Sequence, residues 1–578
     1  MRELSCDILI VGSGGAGLFA AIRAYDNNPK LNVVMATKGL VGKSGCTRMV
    51  QGGYNAVLNA NDSLEMHFQD TIKGGGFLND QELAWVLVNE APQRIYELES
   101  RFGCFFDRDA QGRIHQKPFA AQSFDRTIHR GDLTGIEIVS RLRDQLFRRG
   151  VTVLEETRAV ELLTDQGGSV VGALLLDSRT GEFIVANARA TLTATGGGAA
   201  LCKISAPSLE KTGDGVAMAY RAGAELMDME MLQFHPTGLL AGKSRLTGSV
   251  LEEGLRGSGG YMRNAQGERY MERYDPVRKE RATRDVVSRA SYMEIMAGRG
   301  TANGGVWIDV SHLGFENVCR AFPGMRERVL IIGKDLAKEP IEVSPTAHFH
   351  MGGLRIDVDC ASTLPGLFAA GEDAAGVHGS NRLGGNGVAE SIVFGARAGN
   401  SLAEWVEEHP LRSPRQSQVE EIVRRATRWF GQGGERPAAL RDEIRQIIWE
   451  KVGLVRTGKE MDECLGLLQG LRERLDRAAV GGPRQYNLAW QDAMNVANML
   501  DVSELLAQSA LTRTESRGSH YRADFPQTDP AWIVNVLVRR GDSGMEIRTR
   551  PVSLTRVTPE TISAKAGVAP GIDAPVAG

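Results

Sequence analysis

The 578-residue sequence predicts an α/β protein: a Rossmann-like nucleotide-binding domain interrupted by an insertion around residues 229–345, then a helical bundle and an extended C-terminal tail. Three observations predict it. The run Asp7-Ile8-Leu9-Ile10-Val11 suits a buried parallel strand and passes through Gly12-Ser13-Gly14-Gly15-Ala16-Gly17 into helix formers up to Ala24. Glycine is abundant, 68 residues, and falls in discrete groups such as Gly52-Gly53, Gly196-Gly197-Gly198, Gly352-Gly353 and Gly384-Gly385, as repeated close approach of backbone to a large ligand requires. From Gln416 to Ser509 the apolar residues repeat at helical spacing.

The elements follow in chain order. Gly12-x-Gly14-x-x-Gly17 has dinucleotide spacing: a tight turn, room for a pyrophosphate, close helix packing and a positive helix N-terminus for the phosphates. A second strand is expected at Asn32–Ala36, where Thr37-Lys38 occupies the place of the usual ribose-binding acid, so the ribose must be held differently. Val151–Glu155, Val170–Leu176 and Ala190–Ala194 are further strands, the last entering Thr195-Gly196-Gly197-Gly198. A late strand, Leu367–Ala370, leads into Gly371-Glu372-Asp373, an acidic pair suited to ribose hydroxyls, and makes the nucleotide domain discontinuous. Leu440, Ile444, Ile447 and Ile448 share one helical face, as do Cys464, Leu467, Leu468, Leu471 and Leu475. Residues 532–554 read as extended. The tail from Thr558, rich in Ala, Gly and Pro and without an aromatic residue, is expected to be mobile or to strap a partner.

Charge and cysteine usage exclude several classes of function. Lys and Arg total 68 against 71 Asp and Glu, a net −3, so no global field draws in nucleic acid or an anionic membrane surface. An acidic ligand must be held by local charge. No stretch approaches the ~18 consecutive apolar residues of a membrane span. The N-terminus enters its first strand without room for a secretory leader, which reads as a cytoplasmic protein. The seven cysteines are dispersed and never form Cys-x-x-Cys, so no zinc site, iron–sulfur cluster or disulfide framework is written here, and no metal is expected. If single electrons pass to a cluster, another subunit carries it.

Two histidines sit in sharply punctuated contexts, Phe234-His235-Pro236-Thr237-Gly238 and Pro345-Thr346-Ala347-His348-Phe349-His350-Met351-Gly352-Gly353. Two arginine segments join them, Arg281-Ala282-Thr283-Arg284-Asp285 and His378-Gly379-Ser380-Asn381-Arg382-Leu383-Gly384-Gly385-Asn386. Two His and two Arg, most of them beside backbone-fixing Gly or Pro, are what a site for a small dianion needs: donors for two carboxylates in fixed geometry.

These segments, with Gln51-Gly52-Gly53, Ala194-Thr195-Gly196-Gly197, Thr212-Gly213-Asp214-Gly215 and Arg513-Thr514-Glu515-Ser516-Arg517-Gly518, resemble in this order the succinate dehydrogenase/fumarate reductase flavoprotein family over residues 5–530. L-aspartate oxidase is a close relative, but Arg382–Asn386 and Pro118-Phe119-Ala120-Ala121-Gln122-Ser123 look more like the dehydrogenase/reductase branch. The resemblance implies an FAD-binding domain (1–228 with 346–415), an inserted α+β capping domain (229–345), a helical domain (416–530) and a C-terminal segment (531–578). It implies FAD held by Gly12, Gly14, Gly15, Gly17, Thr37, Lys38, Ser44, Cys46, Thr47, Gln51, Gly52, Gly53, Thr195, Gly196, Gly197, Asp214, Glu372 and Asn386. Substrate then lies between cap and flavin, its carboxylates held by His235, His348 and Arg382, with Phe119 and Gln122 lining the cavity. Arg284 matches the family's proton-transferring arginine, and Glu253 with Arg256 the relay that feeds it. The implied reaction interconverts fumarate and succinate. Its implied partners are a membrane anchor or other electron carrier and an iron–sulfur subunit.

Two departures stand out. Where many members attach FAD through a histidine, five residues before Gln51, this chain has Cys46. Non-covalent FAD is the expectation, and a thioether the sharper alternative. Where the family usually has Thr before the relay glutamate, this chain has Glu252, a carboxylate that would repel a dicarboxylate unless protonated, turned away or paired. Glu252 therefore keeps an L-aspartate oxidase-like or substituted-succinate reading open.

Overall fold

The computed structural model describes residues 1–566, residue 432 excepted. Strand β1 (Arg2–Val11), helix α1 (Gly15–Asn27) and strand β2 (Val33–Ala36) form the opening unit. β1 is longer than its apolar run because Arg2–Cys6 also pairs, in parallel, with Ile184–Ala188. The main sheet runs from Thr152–Leu154 through β2, β1, Glu182–Thr193 and Val170–Asp177 to Thr157–Thr164, and Leu367–Ala369 adds to Glu182–Thr193. The pairs from Thr152–Leu154 to Glu182–Thr193 are parallel and the remaining two along the row are antiparallel. The strand expected at Ala190–Ala194 is thus the end of a twelve-residue strand. The late strand Leu367–Ala369 pairs with Thr191–Thr193, which returns the chain to the same sheet after the insertion.

Helix Asn386–Glu408 packs on α1 through glycines: a Cβ on Gly395 would lie 2.7 Å from Ala16 O, and one on Gly399 2.5 Å from Ala20 O. This close approach carries the loop before the helix, with Arg382, up to the glycine turn. The inserted segment has its own core around Leu239, Leu255, Met262, Ile308 and Val343. Strands Leu232–Leu239 and Ile341–His350 pair antiparallel and run between the two cores.

Helices Gln416–Thr427, Pro437–Lys451, Gly458–Asp476 and Leu488–Thr512 make the helical part. Leu440, Ile444, Ile447 and Ile448 are buried, as are Cys464, Leu468, Leu471 and Leu475. Leu467 departs from its expected face and is 47% exposed. It stands one residue, about 100°, away from the 464–468–471–475 stripe. Val534–Gly541 and Gly544–Pro551 form a hairpin in the segment expected to be extended. The tail departs from the mobile or partner-strapping expectation as far as it is described: Pro559–Ala566 is helical, and Ile562 buries against Phe68, Ile72, Ala84 and Val88 of the same chain. Residues 567–578 lie outside the described residues.

The turn between β1 and α1 depends on missing side chains. A Cβ on Gly17 would lie 2.1 Å from Gly12 O, without any positive φ to confound the steric effect. Gly17→Ala is expected to destabilise the protein by about 1–3 kcal/mol and to release bound flavin, checked by thermal unfolding and by absorbance of the purified protein.

Candidate active site

One continuous cavity of about 530 Å³ runs from the glycine turn to the His and Arg cluster, a volume usual for a ligand site. Gly12 sits at φ +112°, and a Cβ there would lie 2.2 Å from Ala194 O, so only glycine lets the two strand ends meet. Gly14 caps α1, and the Gly15 amide donates to Thr47 Oγ1 at 3.0 Å. Thr37 Oγ1 and Ser13 Oγ lie 2.9 Å apart. Lys38 Nζ donates to Asp214 Oδ2 (2.7 Å), Glu210 O (3.0 Å) and Asn495 Oδ1 (3.2 Å), so the cation in the ribose-acid position is already neutralised. Burial pushes the Asp214 carboxyl up, but Lys38 and Arg158 overcome it and hold it well below the usual range.

Gly12, Gly14, Gly15, Thr37, Lys38, Ser44, Cys46, Thr47, Gln51, Gly52, Gly53, Thr195, Gly196, Asp214 and Glu372 all line this cavity. Three expected cofactor residues stand behind its wall. Gly17 backs Gly12, and Gly197 backs Glu372 and His350. Asn386 accepts from Asn55 Nδ2 (2.7 Å) and pairs with His67 Nε2 (3.0 Å), fixing the start of its helix. The Gln51 Oε1, His348 Nδ1 and Arg382 Nε atoms are buried in the wall with no hydrogen-bond partner among the described residues. A glycine cradle at a helix N-terminus that opens into one long cavity fits FAD.

At the far end, His235 and His348 come from the paired strands, with ring centroids 5.4 Å apart. A register shift on each side of Phe234-His235 re-aims these residues. Thr237 N–H meets His235 Nδ1 at 3.3 Å, which leaves Nε2 for a ligand. Arg284 opens helix Arg284–Glu294, and its Nε donates to Glu253 Oε2 at 2.8 Å. Arg382 comes from the loop before Asn386. Gln233 Oε1 accepts from both guanidinium groups, at 3.2 Å each, and so holds two cations side by side. Gly384 makes this possible, because a Cβ there would lie 2.6 Å from Phe119, 2.7 Å from Glu253 Oε2 and 3.0 Å from Arg284.

Phe119 lines the cavity. Gln122 does not: its Nε2 donates to Gly384 O at 2.9 Å and braces the loop instead. Arg256 is fully buried behind the wall, 3.6 Å from Glu253, and donates to Glu280 O. Burial and the neighbouring Arg284 charge push both histidines well below their ordinary value. Burial, with Arg284 beside it, pushes Arg382 down to about 9. Burial raises the Glu253 carboxyl, but Arg284 and Arg256 outweigh it and hold it below the usual range. The arrangement is a pocket with more fixed positive than negative charge, suited to a small dianion.

Glu252 is buried and lines the cavity, and its carboxylate is paired with Lys117. Burial pushes the Glu252 carboxyl up despite that partner. Lys117 also stands 5.8 Å from the Phe119 ring. Sequence reasoning missed Lys117, Gln233 and Lys211. Each adjoins a recognised motif, at Pro118-Phe119, Phe234-His235 and Thr212-Gly213, and adjacency was the only signal available.

A family model described as an FAD binding domain matches residues 7–388, and one described as fumarate reductase flavoprotein C-term matches 441–564. The chain is 44% identical to a subunit of the fumarate reductase (CoM/CoB) of Methanothermobacter marburgensis over 538 residues, 93% of this chain and 97% of the relative. It is 35% identical to a fumarate reductase flavoprotein subunit of Mycobacterium tuberculosis over 580 residues, 96% and 98% of the two. Its fold matches E. coli quinol fumarate reductase FrdA with a TM-score of 0.92 at 32% identity, covering 97% of this chain and 98% of that one.

Lys117→Met leaves the Glu252 carboxyl buried beside the pocket without its cation. It is expected to raise the dissociation constant of malonate, read from flavin absorbance, about tenfold or more, and Lys117→Met with Glu252→Thr to restore it to within about threefold.

Proposed function

The chain belongs to the succinate dehydrogenase/fumarate reductase flavoprotein family, whose members are FAD-dependent oxidoreductases, and on that premise we propose that it interconverts fumarate and succinate as the catalytic subunit of a larger complex. The observation that carries the reading is the pair of buried arginines, Arg284 and Arg382, bridged by Gln233 and faced by two histidines.

Bound FAD supplies the hydride at its N5. Arg382, His235 and His348 hold the two carboxylates and stabilise charge that develops on the one next to the reacting carbon. Arg284 hands a proton to the neighbouring carbon. A guanidinium, with a pKa above ~12, is a transient donor only, so it needs reloading at once. Glu253 is hydrogen-bonded to it and kept anionic, ready to return the proton, and Arg256 stands behind Glu253. In the reverse direction the same pair removes a proton from succinate.

Electrons leave to an iron–sulfur subunit, then to a membrane anchor or another carrier. Among the described residues no helix is long and apolar enough to cross a membrane, and no group of His, Cys, Asp and Glu is arranged for a metal. We place the protein in the cytoplasm, at the membrane face through its partners. An L-aspartate oxidase-like or substituted-succinate activity is the lesser reading, since it needs Glu252 to greet a substrate cation and Lys117 already holds that carboxylate.

Photoreduced, oxygen-free holoprotein should regain its oxidised flavin absorbance rapidly on addition of fumarate, and Glu253→Gln should slow the return by about 100-fold or more. Absence of reoxidation by fumarate, with oxygen still effective, overturns the assignment. Hydrogen peroxide release on L-aspartate would select the lesser reading.

A further inference from the structure

Lys211 takes no part in the substrate chemistry above, yet its side chain is 5% exposed and lines the cofactor cavity. Its ammonium pairs with Glu372, whose other oxygen accepts the His350 N–H at 2.9 Å. The ammonium stands 5.7 Å from the centroid of Phe349, the same ring that takes the Arg382 guanidinium at 4.4 Å. Beneath it lies Gly196, where a Cβ would reach within 3.3 Å of Lys211 Cε. On the cofactor side its charge faces the Cys46 thiol. A lysine head group is strongly hydrated in water, so a dry position carries a desolvation cost. Burial pulls Lys211 down, and the Glu372 carboxylate hydrogen-bonded to its ammonium pulls the other way.

We propose that Lys211 is a positioning charge that favours the reduced over the oxidised form of bound FAD, with Glu372 as its counterweight, so that this pair sets the cofactor's reduction potential. The inference rests on FAD occupying this cavity. Two-electron reduction near neutral pH brings fewer protons than electrons to the ring system, and the added negative charge is stabilised by a desolvated cation nearby. Lys211, Glu372, Cys46 and Arg382 all line the one cavity, and Lys211 and Arg382 share the Phe349 ring, so the charge acts on whatever that cavity holds.

The test is a potentiometric titration of the holoprotein against redox dyes. Lys211→Met leaves the Glu372 carboxylate unpaired and is expected to lower the preference for reduced over oxidised FAD tenfold or more, a downward shift of about 30 mV or more for a two-electron couple. Glu372→Gln leaves the ammonium alone and is expected to move the potential upward, and Lys211→Arg to keep the wild-type value. A packing role would move both charge-removing variants the same way, or neither, and either result overturns the proposal. If Lys211→Met purifies without flavin, the other two decide: an upward shift in Glu372→Gln with none in Lys211→Arg supports the proposal, and any other pattern overturns it. Failure of the wild-type protein to bind FAD at all would instead overturn the cofactor assignment, and the proposal with it.

Discussion

Burying several cations around one pocket is the constraint on which the rest of this structure depends. Arg284, Arg382 and Arg256 are all buried near one carboxylate, Glu253, and Lys211 shares the Phe349 ring with Arg382. Such an arrangement is unfavourable unless acceptors and a counter-anion offset the buried charge. Much of the local architecture reads as the means of holding it. Gln233 bridges two arginines, Gly384 removes the side chain that would separate Phe119 from Glu253, and Thr237 Oγ1 donates to Leu251 O, tying the strand with His235 to the segment with Glu253. The charge left over is the one a dicarboxylate brings.

The pocket lies where the two cores meet. Both histidines sit on strands that run from the nucleotide-binding body into the inserted segment, so the insertion shapes the site without supplying its whole floor. Helical-part residues secure the base of one of these strands: Arg456 Nη1 donates to Glu230 O at 2.8 Å, and Arg513 Nε to Glu230 Oε1 at 2.7 Å. On the other side, Asn55 and Asn386 fix the loop that presents Arg382. Glycine turn, inserted segment and helical part are therefore coupled mechanically around the His and Arg cluster.

Much of this was legible in the sequence because its signals are local. The strand, glycine turn and helix at residues 7–24 and the stripe at Leu440–Ile448 announce themselves within a few turns of chain. So did the donors: His235, His348, Arg284 and Arg382 sit beside residues that fix the backbone. Pairings across long separations were not legible. Lys117 meets Glu252, and Lys211 meets Glu372, across more than a hundred residues each, and nothing near either lysine names its partner. Glu252 looked like an obstacle to a dicarboxylate for that reason, and its partner removes the objection. Gln122 and Asn386 were placed at the ligand from family resemblance, and their side chains brace the loop behind it.

The central claim is that the pocket's excess positive charge is completed by a dianion. It is tested most directly by comparing the dissociation constants of fumarate and its monomethyl ester for the oxidised holoprotein, where no turnover intervenes. Loss of one carboxylate leaves a desolvated arginine unpaired, so the account predicts weakening by about 30-fold or more. Affinities within a few-fold of each other would contradict it, because the second charge would then be bound by solvent rather than by the site.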